Sequence, residues 1–183
     1  MEYRILEEEI PYTGKELRPK WVEDQTGCRG DAAVAFVGPC NVETEDLVDL
    51  DDREAGAFIR SESMAHVIVE HRRCSLRTAV LRQRLMVWLL CEILIERGCR
   101  VRRDGDDVYI DDRKLTVSIA APAQGSNVIH LGINVRPRGA PVPAVGLEEL
   151  DIEPRWLLEE LLERYHKELS SCRHAEGKVR TVS

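Results

Sequence analysis

Residues 102–119 read Arg-Arg-Asp-Gly-Asp-Asp-Val-Tyr-Ile-Asp-Asp-Arg-Lys-Leu-Thr-Val-Ser-Ile, and this stretch decides the fold. On both sides of a central Asp-Asp-Arg, apolar residues alternate with more polar ones, which is the period of a half-buried strand. Because aspartate favours tight turns, the pattern predicts a β-hairpin that turns at Asp111 and Asp112. Acidic residues cluster at one end of this hairpin, and Lys114 opens the return strand. Lys114 is therefore expected to be a cation held near two or more carboxylates, an arrangement that suits a polar ligand.

Length and composition favour one soluble globular domain. The chain has 183 residues, of which 43% are hydrophobic and 32% are charged, so it is long enough to bury a substantial core. We expect a single domain over residues 1–172 and a polar, flexible tail over residues 173–183. The net charge of −7 argues against a general nucleic-acid binder, and we expect no nucleic-acid partner.

The cellular compartment is predicted from three features that the sequence lacks: a membrane span, a signal peptide and paired cysteines. No apolar run is long enough to cross a bilayer, and the opening Met-Glu-Tyr-Arg is unlike a signal peptide. The six cysteines contain no Cys-x-x-Cys pair. We therefore expect free thiols, a cytoplasmic location and no membrane partner.

Outside the hairpin, strands and helices are both predicted. Apolar runs predict strands over residues 3–10, 32–37, 63–71 and 128–135. Thr13 is expected to cap a short helix. Ser75 is expected to cap a long helix over residues 75–97 that ends at Gly98 and carries Trp88 in the core. A second amphipathic helix is predicted over residues 154–171. The fold class is therefore α+β, a mixed, mostly antiparallel sheet packed by helices.

Residues 38–41, Gly-Pro-Cys-Asn, break the pattern and predict a loop. An acidic segment over residues 43–54 follows it. Gly38 and Cys40 are expected at the rim of a ligand pocket, where Cys40 is a candidate catalytic nucleophile. The alternative is a buried structural thiol.

A metal site is not predicted. His66, His71 and Cys74 match no strong pattern of metal ligands. The two histidines also fall on opposite faces of the same predicted strand, which argues against shared ligation. The acids of residues 43–54 are expected to form a solvated face, with a site for a divalent metal as the alternative.

The order and spacing of these elements resemble the biotin and lipoate protein ligases, whose fold is related to class II aminoacyl-tRNA synthetases. Biotin ligases carry a Lys-Trp-Pro-Asn-Asp box, then an apolar strand, then Arg-Lys-Leu-Ala-Gly-Ile, and later Gly-Ile-Asn-Val. This sequence has Arg-Asp-Gly-Asp-Asp at 103–107, Arg-Lys-Leu at 113–115 and Gly-Ile-Asn-Val at 132–135. The whole chain resembles an uncharacterised, mostly archaeal family of unknown function in that superfamily.

The resemblance implies a role for each matching residue. Lys114 corresponds to the lysine that holds the acid's carboxylate and the phosphate it attacks, where a compact cation neutralises developing charge. Asp106 and Asp107 would lie on the nucleotide and magnesium side. Asn134, with Gly132 beside it, would line the nucleotide pocket. The resemblance thus implies a small-molecule ligand and a nucleotide with Mg²⁺ as the candidate cofactor.

Departures from the ligase pattern leave two functions open. The Gly-Arg-Gly-Arg-x-Gly loop that clamps adenylate phosphates in the ligases is absent, and an acidic segment takes its place. That segment would repel a triphosphate, so we do not expect ordinary biotin ligation. One function is an enzyme that activates or transfers a small carboxylic acid or acyl group, with Lys114 as electrostatic stabiliser. The other is a non-catalytic ligand- or protein-binding relative. A homodimer is a candidate assembly for either.

Overall fold

The computed structural model describes residues 1–182. Its strands and helices follow in chain order, with a short 3-10 helix at Thr44–Asp46. The strands are β1 (Glu2–Ile5), β2 (Ala32–Val42), β3 (Ile59–Arg72), β4 (Val101–Asp104), β5 (Asp107–Ile110), β6 (Arg113–Lys114), β7 (Thr116–Ala123) and β8 (Ser126–Arg136). The helices are α1 (Trp21–Thr26), α2 (Leu50–Glu54), α3 (Leu76–Glu96) and α4 (Pro154–Gly177).

The strands form one large and one small sheet. The large sheet has the order β1-β2-β3-β8-β7, in which β1 runs parallel to β2 and all other pairs are antiparallel. The small sheet, β4-β5-β6, is antiparallel. The predicted α+β fold, with a mixed and mostly antiparallel sheet, is confirmed.

The two faces of the large sheet bury different groups. Helices α3 and α4 pack on one face, where Val67, Leu131, Leu90 and Leu161 belong to the main core. Because successive strand residues point to opposite faces, the neighbouring Met64 and Ile68 face the other way. They belong to a second apolar cluster with Tyr12 and Phe36. The candidate site lies on this second face.

The long helix begins and ends where the sequence predicts. The Ser75 hydroxyl accepts a hydrogen bond from the amide of Thr78, which satisfies an otherwise unpaired donor at the start of α3. Gly98 follows the helix with φ of 83°, the left-handed conformation that glycine adopts without strain. The expectation that Trp88 lies in the core is wrong. Its side chain is 48% exposed, on the same side of α3 as exposed Leu81 and Ile95, seven residues to either side.

The predicted hairpin is confirmed in its first part and differs in its second. Asp111 and Asp112 both have positive φ, as a tight two-residue turn requires. The pairing with β5 ends at Lys114, however. The chain then crosses to the large sheet, where Thr116 pairs with Ile133 of β8. Lys114 thus lies at the junction between the two sheets.

Residues 38–41 are not a loop. They continue strand β2 to Val42, with a β-bulge between Gly38 and Cys40. The strand persists because the preceding segment lies alongside it, and the amide of Tyr12 donates to the carbonyl of Pro39 at 2.9 Å. Proline is tolerated here because a bulge releases the ladder position whose N–H it lacks.

Three further boundaries differ from the prediction. Strand β1 ends at Ile5, and residues 13–17 form turns in place of the predicted helix. The Glu16 carboxylate accepts from the Thr13 amide, but no helix follows until α1, beyond Pro19. Helix α4 continues to Gly177, so the first five residues of the predicted tail are helical, with exposed side chains. None of the helices in residues 1–182 has the length and apolar composition needed to cross a membrane.

Candidate functional site

A cavity of about 380 Å³ opens on the face of the large sheet opposite α3 and α4. One wall comes from β8, β7 and the small sheet, and the other from the segment between β2 and β3. Its apolar lining includes Tyr12, Val42, Leu47, Met64 and Val117. Its polar lining comprises Asp46, Asp49, Asp52, Arg60, Asp106, Asp107, Lys114, Ser118, His130 and Asn134.

Lys114 is held in this cavity from two sides. Its amide donates to the carbonyl of Pro143 at 2.9 Å, and its carbonyl accepts from the amide of Val145 at 3.1 Å. The side-chain amide of Asn134 donates to the same carbonyl at 3.3 Å. The Lys114 ammonium lies 2.8 Å from a carboxylate oxygen of Asp107, and both side chains are about a quarter exposed. The structure thus brings three predicted residues, Lys114, Asp107 and Asn134, together.

Asp106 also reaches the cavity, but its carboxylate is occupied by neighbouring side chains. One oxygen accepts from Gln83 at 2.8 Å and from Ser118 at 3.1 Å. The other accepts from Arg84 at 2.9 Å. The sequence did not indicate Gln83 and Arg84; Gln83 is a buried polar residue on α3. Asp106 therefore fixes α3 against the small sheet, with few lone pairs left for a ligand.

The acidic segment forms part of the cavity wall and is not only a solvated surface. Asp52 of α2 lines the cavity. Burial raises the pKa of its carboxyl, the charges of Asp49 and Asp107 raise the pKa further, and Lys114 lowers it. Five aspartates line the cavity against two cationic side chains, Lys114 and Arg60. The cavity is therefore electronegative, apart from the positions of Lys114 and Arg60.

These acids do not fit the magnesium ion that the resemblance implies. Within residues 1–182, no group of three or more histidine, cysteine, aspartate or glutamate side chains is arranged to hold a metal ion. The Asp106 carboxylate, which corresponds to a residue of the nucleotide and metal side, already accepts three hydrogen bonds. No chemical step is therefore assigned to a metal.

Cys40 is not the accessible nucleophile that its position after Gly-Pro suggested. Its side chain is 1% exposed in the second apolar cluster. Burial raises the pKa of its thiol to about 12, and the nearby charge of Glu16 adds to the shift. Since the thiolate is the nucleophile, the burial of the thiol and its raised pKa both argue against a nucleophilic role for Cys40. The alternative of a buried structural thiol is the one the structure shows.

The two predicted glycines lie outside the cavity lining and act through packing. A Cβ atom on Gly38 would lie 2.0 Å from the carbonyl oxygen of Ile10, so only glycine allows this close backbone approach. A Cβ atom on Gly132 would lie 2.3 Å from the sulfur of Met64. Gly38 therefore does not lie at the rim of the cavity. Gly132 makes room for Met64, which lines the cavity.

The sequence also failed to indicate a pair of buried histidines beside the cavity. Nδ1 of His66 lies 3.1 Å from Nε2 of His130. The His130 ring stacks on Tyr12 with centroids 4.0 Å apart and planes 9° from parallel. His71 lies on the opposite face, where it contacts Tyr165 and Asp31, so the predicted separation of His66 and His71 is confirmed. A histidine inside an apolar strand was the available indication for His130.

Comparison with known proteins identifies the family. A family model described as "Domain of unknown function (DUF366)" matches residues 1–180. The chain belongs to the DUF366 family. It is 37% identical to an uncharacterised protein from Methanocaldococcus jannaschii over 172 residues, which cover 90% of this chain and 78% of that protein. A solved protein of unknown function from Pyrococcus horikoshi superposes with a TM-score of 0.93 at 36% identity, covering 99% of this chain and 100% of the other.

More distant structures share the fold. A biotin protein ligase mutant from Aquifex aeolicus, in complex with biotin, superposes with a TM-score of 0.59 at 16% identity, covering 93% of this chain and 70% of that one. At this identity the likeness concerns the fold alone. The DUF366 fold is therefore similar to that of the biotin and lipoate protein ligases, as the sequence resemblance implied.

Proposed function

We propose that this DUF366 protein binds a small carboxylic acid, or the acyl group of one, in the cavity, with Lys114 as the cation that meets the acid. The observation that carries the proposal is the position of the Lys114 ammonium, fixed by Asp107 at 2.8 Å in the wall of the cavity. An ammonium group has three N–H donors, and Asp107 accepts from one of them. Two donors therefore remain for a carboxylate.

The rest of the cavity suits such a ligand. Its volume of about 380 Å³ lies at the lower end of the range for small-molecule pockets. The apolar side chains of Tyr12, Leu47, Met64 and Val117 provide a surface for hydrocarbon. The aspartates around Lys114 would repel a carboxylate from their own part of the cavity. Arg60, the other cation of the lining, is already paired with Glu43 at 3.3 Å.

Activation of the bound acid with a nucleotide is a second candidate, supported by the ligase-like placement of Lys114 beside Asp107. Two observations weigh against it. Five aspartates line the cavity, and a triphosphate would be repelled without metal ions. The described residues also offer no group of three metal-binding side chains. Acyl transfer through Cys40 is not proposed, because the thiol is buried. The non-catalytic alternative therefore has the stronger support.

A thermal-shift experiment tests the proposal, because a ligand that binds only the native state raises its stability. Octanoate, lipoate and biotin would each be compared with the corresponding primary amide, which lacks the charge. We expect at least one acid to raise the melting temperature of the wild-type protein and its amide to have little effect. The Lys114→Met variant should lose this response. The neighbouring Arg113 pairs with Glu149 outside the cavity, so Arg113→Met should keep it.

The outcomes separate the candidates. No response to any of these acids, or an equal response in Lys114→Met, would contradict the proposed binding role. An exchange assay between ATP and pyrophosphate, run with the acid that binds, distinguishes activation from binding. We expect no exchange, and measurable exchange would make activation the leading function. The homodimer, the cytoplasmic location and the absence of a nucleic-acid partner stay predictions; light scattering on the purified protein tests the first.

A further inference from the structure

Two imidazoles and one backbone carbonyl form a chain of contacts that ends at the cavity. Nε2 of His66 lies 3.3 Å from the carbonyl oxygen of Gly38. Nδ1 of the same ring lies 3.1 Å from Nε2 of His130. His66 is fully buried, whereas His130 retains 3% exposure and lines the cavity. The β-bulge at Gly38 stands at the buried end of this chain.

The carbonyl fixes the position of every hydrogen in the chain. A carbonyl oxygen only accepts, so Nε2 of His66 must carry the hydrogen. A neutral imidazole has one N–H, and Nδ1 of His66 is therefore an acceptor. Nε2 of His130 must then donate to it, which leaves Nδ1 of His130 without a hydrogen and with a free lone pair. Burial keeps both rings neutral: it lowers the pKa of His66 to about 3 and lowers that of His130 well below its usual value.

The free nitrogen belongs to a ring that lines the cavity. Among the side chains of residues 1–182, Nε of Arg72 is the buried nitrogen or oxygen that has no hydrogen-bond partner. Nδ1 of His130 also has no hydrogen-bond partner within those residues, yet it is not among these buried atoms. This nitrogen therefore keeps some exposed surface. Stacking on Tyr12 holds the plane of the ring. The lone pair therefore has a fixed direction before any ligand binds.

We propose that Nδ1 of His130 is the acceptor for an N–H or O–H group of the ligand, and that His66 and the Gly38 carbonyl are positioning groups that hold it in this form. The proposal rests on the proposed function, in that the cavity is taken as the ligand site. It narrows the ligand class to molecules with a hydrogen-bond donor in addition to the carboxylate that Lys114 meets. A purely aliphatic acid would leave this lone pair unpaired, and a site built for a hydrogen bond discriminates strongly against such analogues.

The first test needs no ligand and no variant. Two-dimensional NMR that correlates the ring nitrogens and carbon-bound protons of histidine distinguishes protonated from unprotonated ring nitrogens in the wild-type protein. We expect His66 and His130 both to carry the hydrogen on Nε2. A hydrogen on Nδ1 of His130, or a charged ring near neutral pH, would overturn the inference.

The second test measures donor recognition with two neutral probes. Pyrrolidin-2-one offers one N–H, and 1-methylpyrrolidin-2-one offers none. Followed by the same NMR signals, pyrrolidin-2-one should bind about tenfold more tightly, as expected for one net hydrogen bond, and should shift Nδ1 of His130. In His130→Phe the difference should disappear. Equal affinities in the wild type, or no binding of pyrrolidin-2-one at any concentration that leaves the protein folded, would contradict the inference.

The positioning role of His66 has its own readout. In His66→Gln a rotatable amide replaces the ring, so His130 should show a mixture of the two neutral forms. A His130 spectrum identical to that of the wild type would show that His66 does not position the His130 ring. The acid that raises the melting temperature of the wild-type protein serves as the independent control. If it still raises the melting temperature through Lys114 while the lactams bind equally, the donor site fails and the acid-binding function stands.

Discussion

The ammonium of Lys114 and the carboxylate of Asp107 lie 2.8 Å apart on neighbouring strands of the small sheet. Tyr109 is the direct cross-strand partner of Lys114, and Asp107 is its diagonal neighbour, two residues earlier on β5. The turn at Asp111 and Asp112 sets this register, so local turn chemistry decides which acid meets the lysine. The contact orients one cation in a cavity that is lined mainly by acids.

The first prediction is that Lys114 contributes little to stability. Because the pair is partly exposed, Lys114→Met should change the free energy of unfolding by less than about 1 kcal/mol. The adjacent Leu115 is fully buried, and Leu115→Ala should destabilise by about 2–5 kcal/mol. Urea unfolding of both variants measures the contrast. A loss for Lys114→Met as large as that for Leu115→Ala would assign the lysine a structural role.

A second prediction concerns thiol reactivity. Cys40 should react with iodoacetamide only as fast as the protein opens, and denaturant should accelerate the reaction strongly. Cys172 is exposed on α4 and provides the internal control for fast labelling. Mass spectrometry of labelled peptides gives both rates. Labelling of Cys40 at a rate close to that of Cys172 under native conditions would refute its burial.

A third prediction tests the close backbone approach at the bulge. In Gly38→Ala the new methyl group would meet the backbone of Ile10 and not a flexible side chain. We expect a loss of at least about 2 kcal/mol in the free energy of unfolding. At Gly30 a new Cβ would have no neighbour closer than 4.0 Å, so Gly30→Ala is the matched control. Equal stability of the two variants would show that the chain near Ile10 can move aside.

The fourth prediction is a stability loss on acidification. The folded pKa of His66 is about 3, below the 6.5 of an ordinary imidazole, so the unfolded chain binds more protons between these values. The contribution of the neutral His66 ring to stability is complete above pH 6.5 and is lost as the pH falls toward 3. Between pH 7 and pH 5 the loss amounts to about 2 kcal/mol.

Variants isolate this contribution. The loss in the free energy of unfolding that His66→Gln causes at pH 7 should be smaller by about 2 kcal/mol at pH 5. The variant lacks the imidazole that takes up a proton only when the chain unfolds. His174 is exposed on α4, and His174→Gln should keep the wild-type dependence. Chemical denaturation at the two pH values provides the comparison. If the cost of His66→Gln is the same at both, His66 does not stay neutral in the folded state.

The sequence predicted the elements that depend on local chemistry. The Ser75 cap, the Gly98 stop and the Asp111–Asp112 turn are each determined by neighbouring residues, and each is confirmed. The prediction of a loop over residues 38–41 was wrong because the segment at Ile10 and Tyr12 lies alongside β2 and overrides the local preference of Gly-Pro. The prediction of a helix at residues 13–17 was also wrong. Pairings between distant segments are not visible in local patterns.

The residues of the candidate site show the same difference between local patterns and contacts of distant segments. The family resemblance predicted that Lys114, Asp107 and Asn134 line one pocket. All three line the cavity of the structure. Cys40 was misplaced because its accessibility depends on a strand continuing through Gly-Pro. His66 and His130 were missed as a pair because they are 64 residues apart in the chain and meet only across β3 and β8. The contact between the Gln83 side chain and Asp106 likewise exists only once α3 packs beside the small sheet.

The most direct test of the acid-binding proposal is a crystal structure of the protein with the carboxylic acid that gives the largest thermal shift. We expect the carboxylate within hydrogen-bond distance of the Lys114 ammonium and the hydrocarbon part of the acid against Met64 and Val117. An acid bound elsewhere, with Lys114 still paired only to Asp107, would contradict the proposal.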